Sequence, residues 1–511
     1  MNDWTAGYVA DISYTYGYYL DLNPLRVKLA FLNAGLVCPE VATACELGFG
    51  QGMSANIHAA ATPAQWSGTD FNPSQAGFAQ ELASASGNGA RLYDQSFSEF
   101  AQRSDLPDFD YIGLHGIWSW ISDENRSIIV DFIRRKLKVG GVLYISYNTQ
   151  PGWAAMAPMR DLLTEHAEVM GASGHGIVPR INAALAFAEK LLATNPTYAR
   201  AYPRIPDRIK SISGQDRNYV AHEYFNRDWL PMSFTKLAKW LEPAKLSFAC
   251  SAHYLDYIDA INLSADQQAL LNEIPDVMFR QAVRDFMINQ LFRKDYWVKG
   301  ARQLSAAERA EGLHAQRVVL TTLRTEVPLK VDGGLGEAAM SEAIYKPILD
   351  ALADHKPKTL LQLEQAVQSS GVNVAQLNQA VLILAGAGHL QPVQDEALIS
   401  KAKKHTDKLN AYLMNKARGS SDIGYLASPV TGGGLTVGRF QQLFLLALSQ
   451  GEKQPTQWVQ TVWKILVAQS QRLSKEGKTM ESDEENLAEL TMLAQVFADK
   501  YLPVLKALQI A

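Results

Sequence analysis

Short apolar runs alternate with amphipathic stretches along the first third of the chain. The first run lies in Val41–Met53, where an apolar strand ends in an acid, Glu46, and Gly48, Gly50 and Gly52 follow on alternate positions before a helix begins. Gln65–Asp70, Arg91–Asp94 and Phe109–Leu114 read as the second, third and fourth strands. Arg126–Leu137 carries Ile128, Ile129, Phe132 and Ile133 on one face, the spacing of a helix buried on one side. Val139-Gly-Gly141 is expected to close that helix, and Val142–Ser146 to form the fifth strand. Strands alternating with helices predict a parallel sheet and an α/β fold.

The turn after the first strand places glycine where the backbone must approach a ligand closely, at the carboxyl edge of such a sheet. Dinucleotide sites use G-x-G-x-x-G, whereas Glu46–Gly52 reads E-x-G-x-G-x-G, the pattern of S-adenosylmethionine (AdoMet) methyltransferases. Asp70, one βα unit later, is an acceptor-only carboxylate suited to two ribose hydroxyls. Phe71 and Asn72 are placed to cover the sugar and base, and Asp94, Gln95 and Ser96 would lie near an adenine edge.

Farther on, residues 154–222 read as helical, punctuated by prolines. An amphipathic helix over Ser233–Leu241 is followed by strand-like Lys245–Ser251 and, later, Asp295–Lys299. These two strands are expected to complete a seven-stranded, mostly parallel, Rossmann-like sheet whose last strand is antiparallel. Pro151 to about Arg227 then becomes a helical insertion able to cover the site. Ser264–Gln267 and Ser482–Glu485 are capping boxes. Glycine-rich 331–340 reads as a linker. Beyond it, helices over Glu342–Leu352, Leu360–Val367 and Val374–Ala385 run into a strand after Gly386, suggesting a winged-helix-like module. The domain reading is therefore 1–153 for the cofactor-binding core with its N-terminal arm and 154–330 for an insertion or regulatory region. It continues with 331–400 for the winged-helix-like module and 401–511 for a C-terminal helical region.

A formal charge of −4 leaves no electrostatic footprint for nucleic acid, and Val374–Ala385 carries no Lys or Arg with which to read it. Lys401-Ala-Lys-Lys404 reads as a solvated helix face. Cys38, Cys45 and Cys250 are too few for a disulfide framework and form no metal-ligand pattern, so no metal is expected and the cytoplasm is the default. Met1–Thr5 lacks the basic start of a leader, and no apolar run is long enough to span a bilayer.

Four motifs carry a family resemblance: Glu46–Gly52, Gly68-Thr-Asp-Phe-Asn72, His115-Gly-Ile-Trp-Ser-Trp120 and Ser146-Tyr-Asn-Thr-Gln-Pro-Gly-Trp153. With them the chain resembles bacterial class I methyltransferases that carry a methyltransferase regulatory domain, a family that includes rickettsial protein-lysine methyltransferases. Tyr219–Tyr224 echoes the start of the regulatory region. The resemblance is closest over residues 10–160. It implies that the arm bearing Tyr14, Tyr16, Tyr18 and Tyr19 folds over AdoMet, with Tyr16 as the candidate hydroxyl near the methyl or the methionine carboxylate. The N-terminal Tyr-Thr-Tyr-Gly-Tyr-Tyr19 departs from the proline-containing version of the lysine enzymes.

Methyl transfer from a sulfonium is an in-line displacement that needs an aimed, uncharged nucleophile. A lysine amine of reference pKa near 10.4 is only about 0.04% neutral at pH 7, a penalty of about 4.6 kcal/mol. His115, just past the fourth strand, is the candidate base. Trp118 and Trp120 are candidate walls of an acceptor channel, and Asn148 a candidate for orienting the acceptor. Arg26 is a candidate partner of the methionine carboxylate. The functional readings, in order, are methylation of a protein lysine, methylation of a small molecule or sugar, and a non-catalytic AdoMet-binding interaction module.

Overall fold

Seven strands form one sheet: β1 (Thr43–Leu47), β2 (Gln65–Asp70), β3 (Arg91–Asp94), β4 (Phe109–Leu114), β5 (Leu137–Asn148), β6 (Leu246–Ser251) and β7 (Phe292–Lys299). Their order is β3-β2-β1-β4-β5-β7-β6, and only β7 runs against the others. The two late strands therefore complete the sheet across a helical insertion, as expected. The computed structural model describes residues 5, 7–10, 12–171, 174, 176–475 and 477–511; Met1–Trp4, on which the leader expectation mostly rests, lie outside them. Among the described residues no helix is long and apolar enough to cross a membrane.

Polar ends fix most elements. α1 (Pro24–Ala34) starts after Asn23, whose side chain accepts from Leu25 N–H, and α3 (Pro73–Ser86) starts after Asn72 in the same way. Between them, α2 (Met53–Ala61) follows Gly52 directly. One stop signal proves to be something else. The helix Asp123–Lys136 gives way at once to β5, where Leu137 pairs with Phe109 and Val142 with Tyr111. Val139–Gly141 is thus an irregularity inside the strand, with Gly140 at φ +83°, because a glycine with positive φ serves a bulge as readily as a helix end.

The insertion packs helices Ala157–Val169, Ile177–Ala193, Ile205–Ser213 and Arg217–Tyr224 around their own apolar core. The expected linker is instead an antiparallel hairpin, Lys330–Gly333 with Gly336–Ala339. Helices Glu342–Ala351, Leu360–Val367 and Val374–Gly386 adjoin a three-stranded sheet whose central strand, Arg317–Leu320, comes from before that hairpin. The long helix Glu396–Lys416 then lies against α2 and α3, with His405 Nδ1–H donating to Ser86 O at 3.1 Å. Lys401 and Lys404 are exposed on it.

One buried ion group ties β5 and β7 to the helix Val277–Met287. Arg293 on β7 donates to Asp285 Oδ1 (2.6 Å), to both oxygens of Asp295 and to Gln281, and Tyr147 on β5 donates to Asp295 at 3.1 Å. All three charged side chains are buried. Arg293→Met would strand two carboxylates in the interior. We expect a loss of about 3–5 kcal/mol, read by denaturant unfolding followed through tryptophan fluorescence.

Candidate functional site

The carboxyl edge of the sheet, where β1, β2 and β4 end, opens into a cavity of about 190 Å³. Its floor is the glycine turn. Gly48, Gly50 and Gly52 all adopt left-handed φ, +72°, +57° and +69°, and Gly48 and Phe49 donate N–H to Thr69 O at the end of β2. At Gly48 a Cβ would fall 2.4 Å from Ile117 in the loop after β4, so only glycine lets that loop close over the turn. Gly52 has a different constraint: a Cβ there would lie 2.4 Å from the Ala79 Cβ on α3. It lines no part of the cavity and serves the packing of α2 on α3.

Asp70 is the centre of the floor. Gly50 N–H donates to Oδ2 at 2.8 Å and Asn72 N–H to Oδ1 at 3.0 Å, which fixes the carboxylate at the cavity floor. Burial outweighs these donors and pushes Asp70 up to about 6. Glu46 at the end of β1 goes higher, to about 8, through burial and the neighbouring Asp70. Glu46 Oε2 and, across from it, Gln75 Nε2 are buried with no hydrogen-bond partner, two polar atoms that a ligand in this cavity would satisfy.

Of the residues singled out from sequence, Glu46, Gly48, Gly50, Asp70, Phe71, Gln95, Ser96 and His115 line the cavity, as does Trp120. Ser96 also caps a short helix, its hydroxyl engaged with Glu99. Others stand elsewhere. Asn72 is committed to Asp70 and to the α3 cap, and Asp94 is exposed at the end of β3. Trp118 is fully buried, its indole N–H on Met232 Sδ (3.2 Å), so it is a core residue and no channel wall. Asn148 is buried beyond the cavity, its main chain tied to Ser119 Oγ and Met232 N–H. Arg26 is neither a cavity residue nor a surface one: it lies buried over the Tyr254 ring, 4.0 Å from Asp21. Tyr16 packs edge-on against Phe78 of α3, outside the cavity.

Tyr14 and Tyr19 of the arm form the roof. Tyr19 stacks on His115 with ring centroids 3.9 Å apart, and its hydroxyl donates to that of Tyr14 at 3.4 Å. Tyr8, which sequence reasoning passed over, meets Phe71 edge-on at 5.7 Å and closes the sugar side. The helix Arg217–Tyr224 completes the enclosure with His222 and Glu223. Tyr8 and Tyr14 pack on the His222 ring at 5.5 and 5.0 Å, and Glu223 lines the cavity close to Tyr14. Arm and helix are stitched together by Val9 N–H to Asn226 Oδ1 (2.8 Å) and Arg227 N–H to Gly7 O (3.0 Å). Nothing local announces Glu223; the signal available was the Tyr219–Tyr224 echo of the regulatory region.

His115 Nδ1 lies 2.8 Å from the Tyr144 hydroxyl. Burial and nearby Lys294 hold the imidazole down to about 3, so it is neutral at pH 7 and a weak proton acceptor. His222 is also lowered by burial, while Glu223 is pushed up to about 7 by the same cause. Among the described lining residues there are four carboxyls, Glu46, Asp70, Glu223 and Asp228, and no Lys or Arg.

Residues 216–299 match the family model described as "Predicted methyltransferase regulatory domain". Over 99% of its length the chain is 40% identical to the Synechocystis protein sll1526, and it spans all of that protein. The Rickettsia prowazekii protein RP028 is 30% identical over 37% of this chain and 76% of its own. Among solved structures, PKMT2 from Rickettsia typhi in complex with AdoHcy superposes with a TM-score of 0.70 over 98% of this chain and all of that one, at 18% identity.

The raised Glu46 carboxyl sets a pH dependence. It holds its proton to about pH 8 in the fold, against about 4.3 in the unfolded chain. The folded state therefore binds more protons between these values, and Glu46's contribution to stability falls as pH rises through this window and is gone above 8. Ligand-free Glu46→Gln should lose less melting temperature than the wild type between pH 5 and pH 8.5 in calorimetric scans.

Proposed function

The chain belongs to the family of class I methyltransferases with a methyltransferase regulatory domain, and on that footing we propose that it transfers a methyl group from AdoMet to a lysine side chain of a protein. The observation that carries this is the charge of the cavity: four carboxyls and no cation of its own, beneath an all-left-handed glycine turn. AdoMet brings a sulfonium and an ammonium, and a lysine acceptor arrives as a third cation. A neutral sugar acceptor would make no use of this many carboxyls. The AdoHcy bound in PKMT2, a protein of the same fold, supports the reading.

The residues present fit the cofactor. Asp70 would accept the ribose hydroxyls, with Phe71 and Tyr8 covering the sugar and Gln95 near the base. Glu46 Oε2 and Gln75 Nε2 would find partners in the polar methionine end beside Gly48 and Gly50. The bound sulfonium supplies the methyl group to a nucleophile aligned behind it. The neutral His115 ring, stacked under Tyr19, walls the acceptor end and excludes water. A cytosolic setting suits a chain whose Cys45 and Cys250 are buried free thiols.

Calorimetric titration tests the cofactor. AdoMet and AdoHcy should bind with micromolar affinity and NAD should not; absence of AdoMet and AdoHcy binding rejects the reading. Asp70→Ala should weaken AdoHcy by about tenfold to a hundredfold, the worth of hydrogen bonds to a charged group. His115→Ala should leave that affinity within about threefold and slow the transfer of labelled methyl to protein in a cell extract.

A further inference from the structure

The helix Arg217–Tyr224 lies in the segment matched by the regulatory-domain model, yet it enters the cavity and brings a carboxylate that cofactor binding leaves unused. Trp120 indole N–H donates to Glu223 O at 3.3 Å, which pins Glu223 to the loop after β4. That loop, with His115 at its start, is the side from which an acceptor reaches the methyl group. Tyr14 stands in the same lining, and from it contact continues through Tyr19 to His115. The Glu223 carboxylate, Tyr14 and Trp120 thus frame one end of the cavity with a negative charge between aromatic faces, the environment an alkylammonium prefers.

We propose that Glu223 is a catalytic residue that pairs with the acceptor's ammonium and takes one of its protons, an inference that rests on the methyltransferase reading above. The N–H bond breaks with its electron pair left on nitrogen and its proton on a Glu223 carboxyl oxygen. That pair then forms the new N–C bond as the methyl's C–S bond breaks, the latter pair staying on sulfur, which becomes neutral. The methylated product leaves as an ammonium, and the carboxyl returns its proton to water. This role fits a carboxyl that burial has moved to about 7, because a base works best when its pKa lies near the working pH. It also answers the weakness of His115.

The neighbouring tyrosines and histidines do not compete for the proton near neutrality. The hydroxyls of Tyr8, Tyr14 and Tyr19 on the arm, and of Tyr219 and Tyr224 on Glu223's own helix, are all pushed above their ordinary range by burial. His115 and His222 are held neutral. Glu46 and Asp70 stand at the glycine turn under the cofactor, and Asp228 follows in the loop after the helix.

The test uses n-butylamine as the probe and the full-length protein saturated with AdoHcy, in wild-type and Glu223→Gln forms. Glutamine keeps the shape and a hydrogen-bonding end but carries no charge. We expect n-butylammonium to bind the wild-type complex with affinity rising from pH 6 to pH 8, and to release about half a proton per ligand at pH 7 in buffers of different ionisation enthalpy. Glu223→Gln should bind it about tenfold to a hundredfold more weakly, with no proton release, while its AdoHcy affinity and melting temperature stay near wild type. Three outcomes overturn the proposal: no n-butylammonium binding by the wild-type complex, unchanged binding and proton release in the variant, or an AdoHcy affinity lowered by the substitution, which would make Glu223 a cofactor ligand. Failure of wild-type AdoHcy binding would instead reject the methyltransferase reading itself.

Discussion

Buried negative charge without a built-in counterion is the constraint around which this molecule is arranged. Removing a carboxylate from water is costly unless it is paired or neutralised. At Arg293 the protein does pair its buried acids, with a guanidinium between Asp285 and Asp295. In the cavity it does not: Glu46, Asp70 and Glu223 are instead displaced toward their protonated forms. The charge balance is left to what binds. A cationic cofactor and a cationic acceptor are then held by the same desolvation that destabilises the empty site, which is how a small enclosed volume distinguishes them from neutral or anionic molecules of similar size.

Three separate stretches converge to make this enclosure. The strands deliver Glu46, Asp70 and His115 to one edge because a parallel sheet places the ends of β1, β2 and β4 side by side. The arm provides aromatic cover, and the insertion contributes a helix that is stitched to the arm and, through Trp120, to the loop after β4. Floor and roof therefore come from different stretches of the chain. The floor is as rigid as the sheet core, while the roof is held by a few hydrogen bonds and ring contacts, an arrangement that permits exchange of ligands without disturbing the strands.

Strand bounds and the glycine turn are legible in the sequence, whereas which side chains reach the cavity is mostly not. The bounds of β2, β3 and β4 follow from apolar runs ending in polar residues, and the glycine turn from its spacing, since both depend on neighbours in the chain. Val139–Gly141 was misread because positive-φ glycine carries no label for helix end or bulge. Trp118 and Trp120 sit in one motif and one short helical turn, yet one faces the core and the other the cavity. Tyr14 and Tyr16 divide in the same way between the cavity and Phe78. Such choices are made by what packs on each side, and the deciding partners lie far off in the chain. Glu223 is the extreme case, as its place beside Trp120 exists only after the insertion has folded back.

The arm has anchors outside the cavity as well. The Tyr18 hydroxyl meets His58 of α2 at 3.1 Å, and its ring lies against Gly434 in the hairpin Tyr425–Ser428 with Gly433–Thr436. Asn23, just beyond, donates to Thr431 O across 408 residues of chain. During synthesis, then, the segment that roofs the cavity leaves the ribosome early but meets its last partners only when nearly the whole protein has been made. Contacts of such long sequence separation form late and slowly. A nascent chain interrupted before residue 431 could complete the strands and the floor and still lack the seat for its roof, so assembly of this site is timed by the far end of the polypeptide.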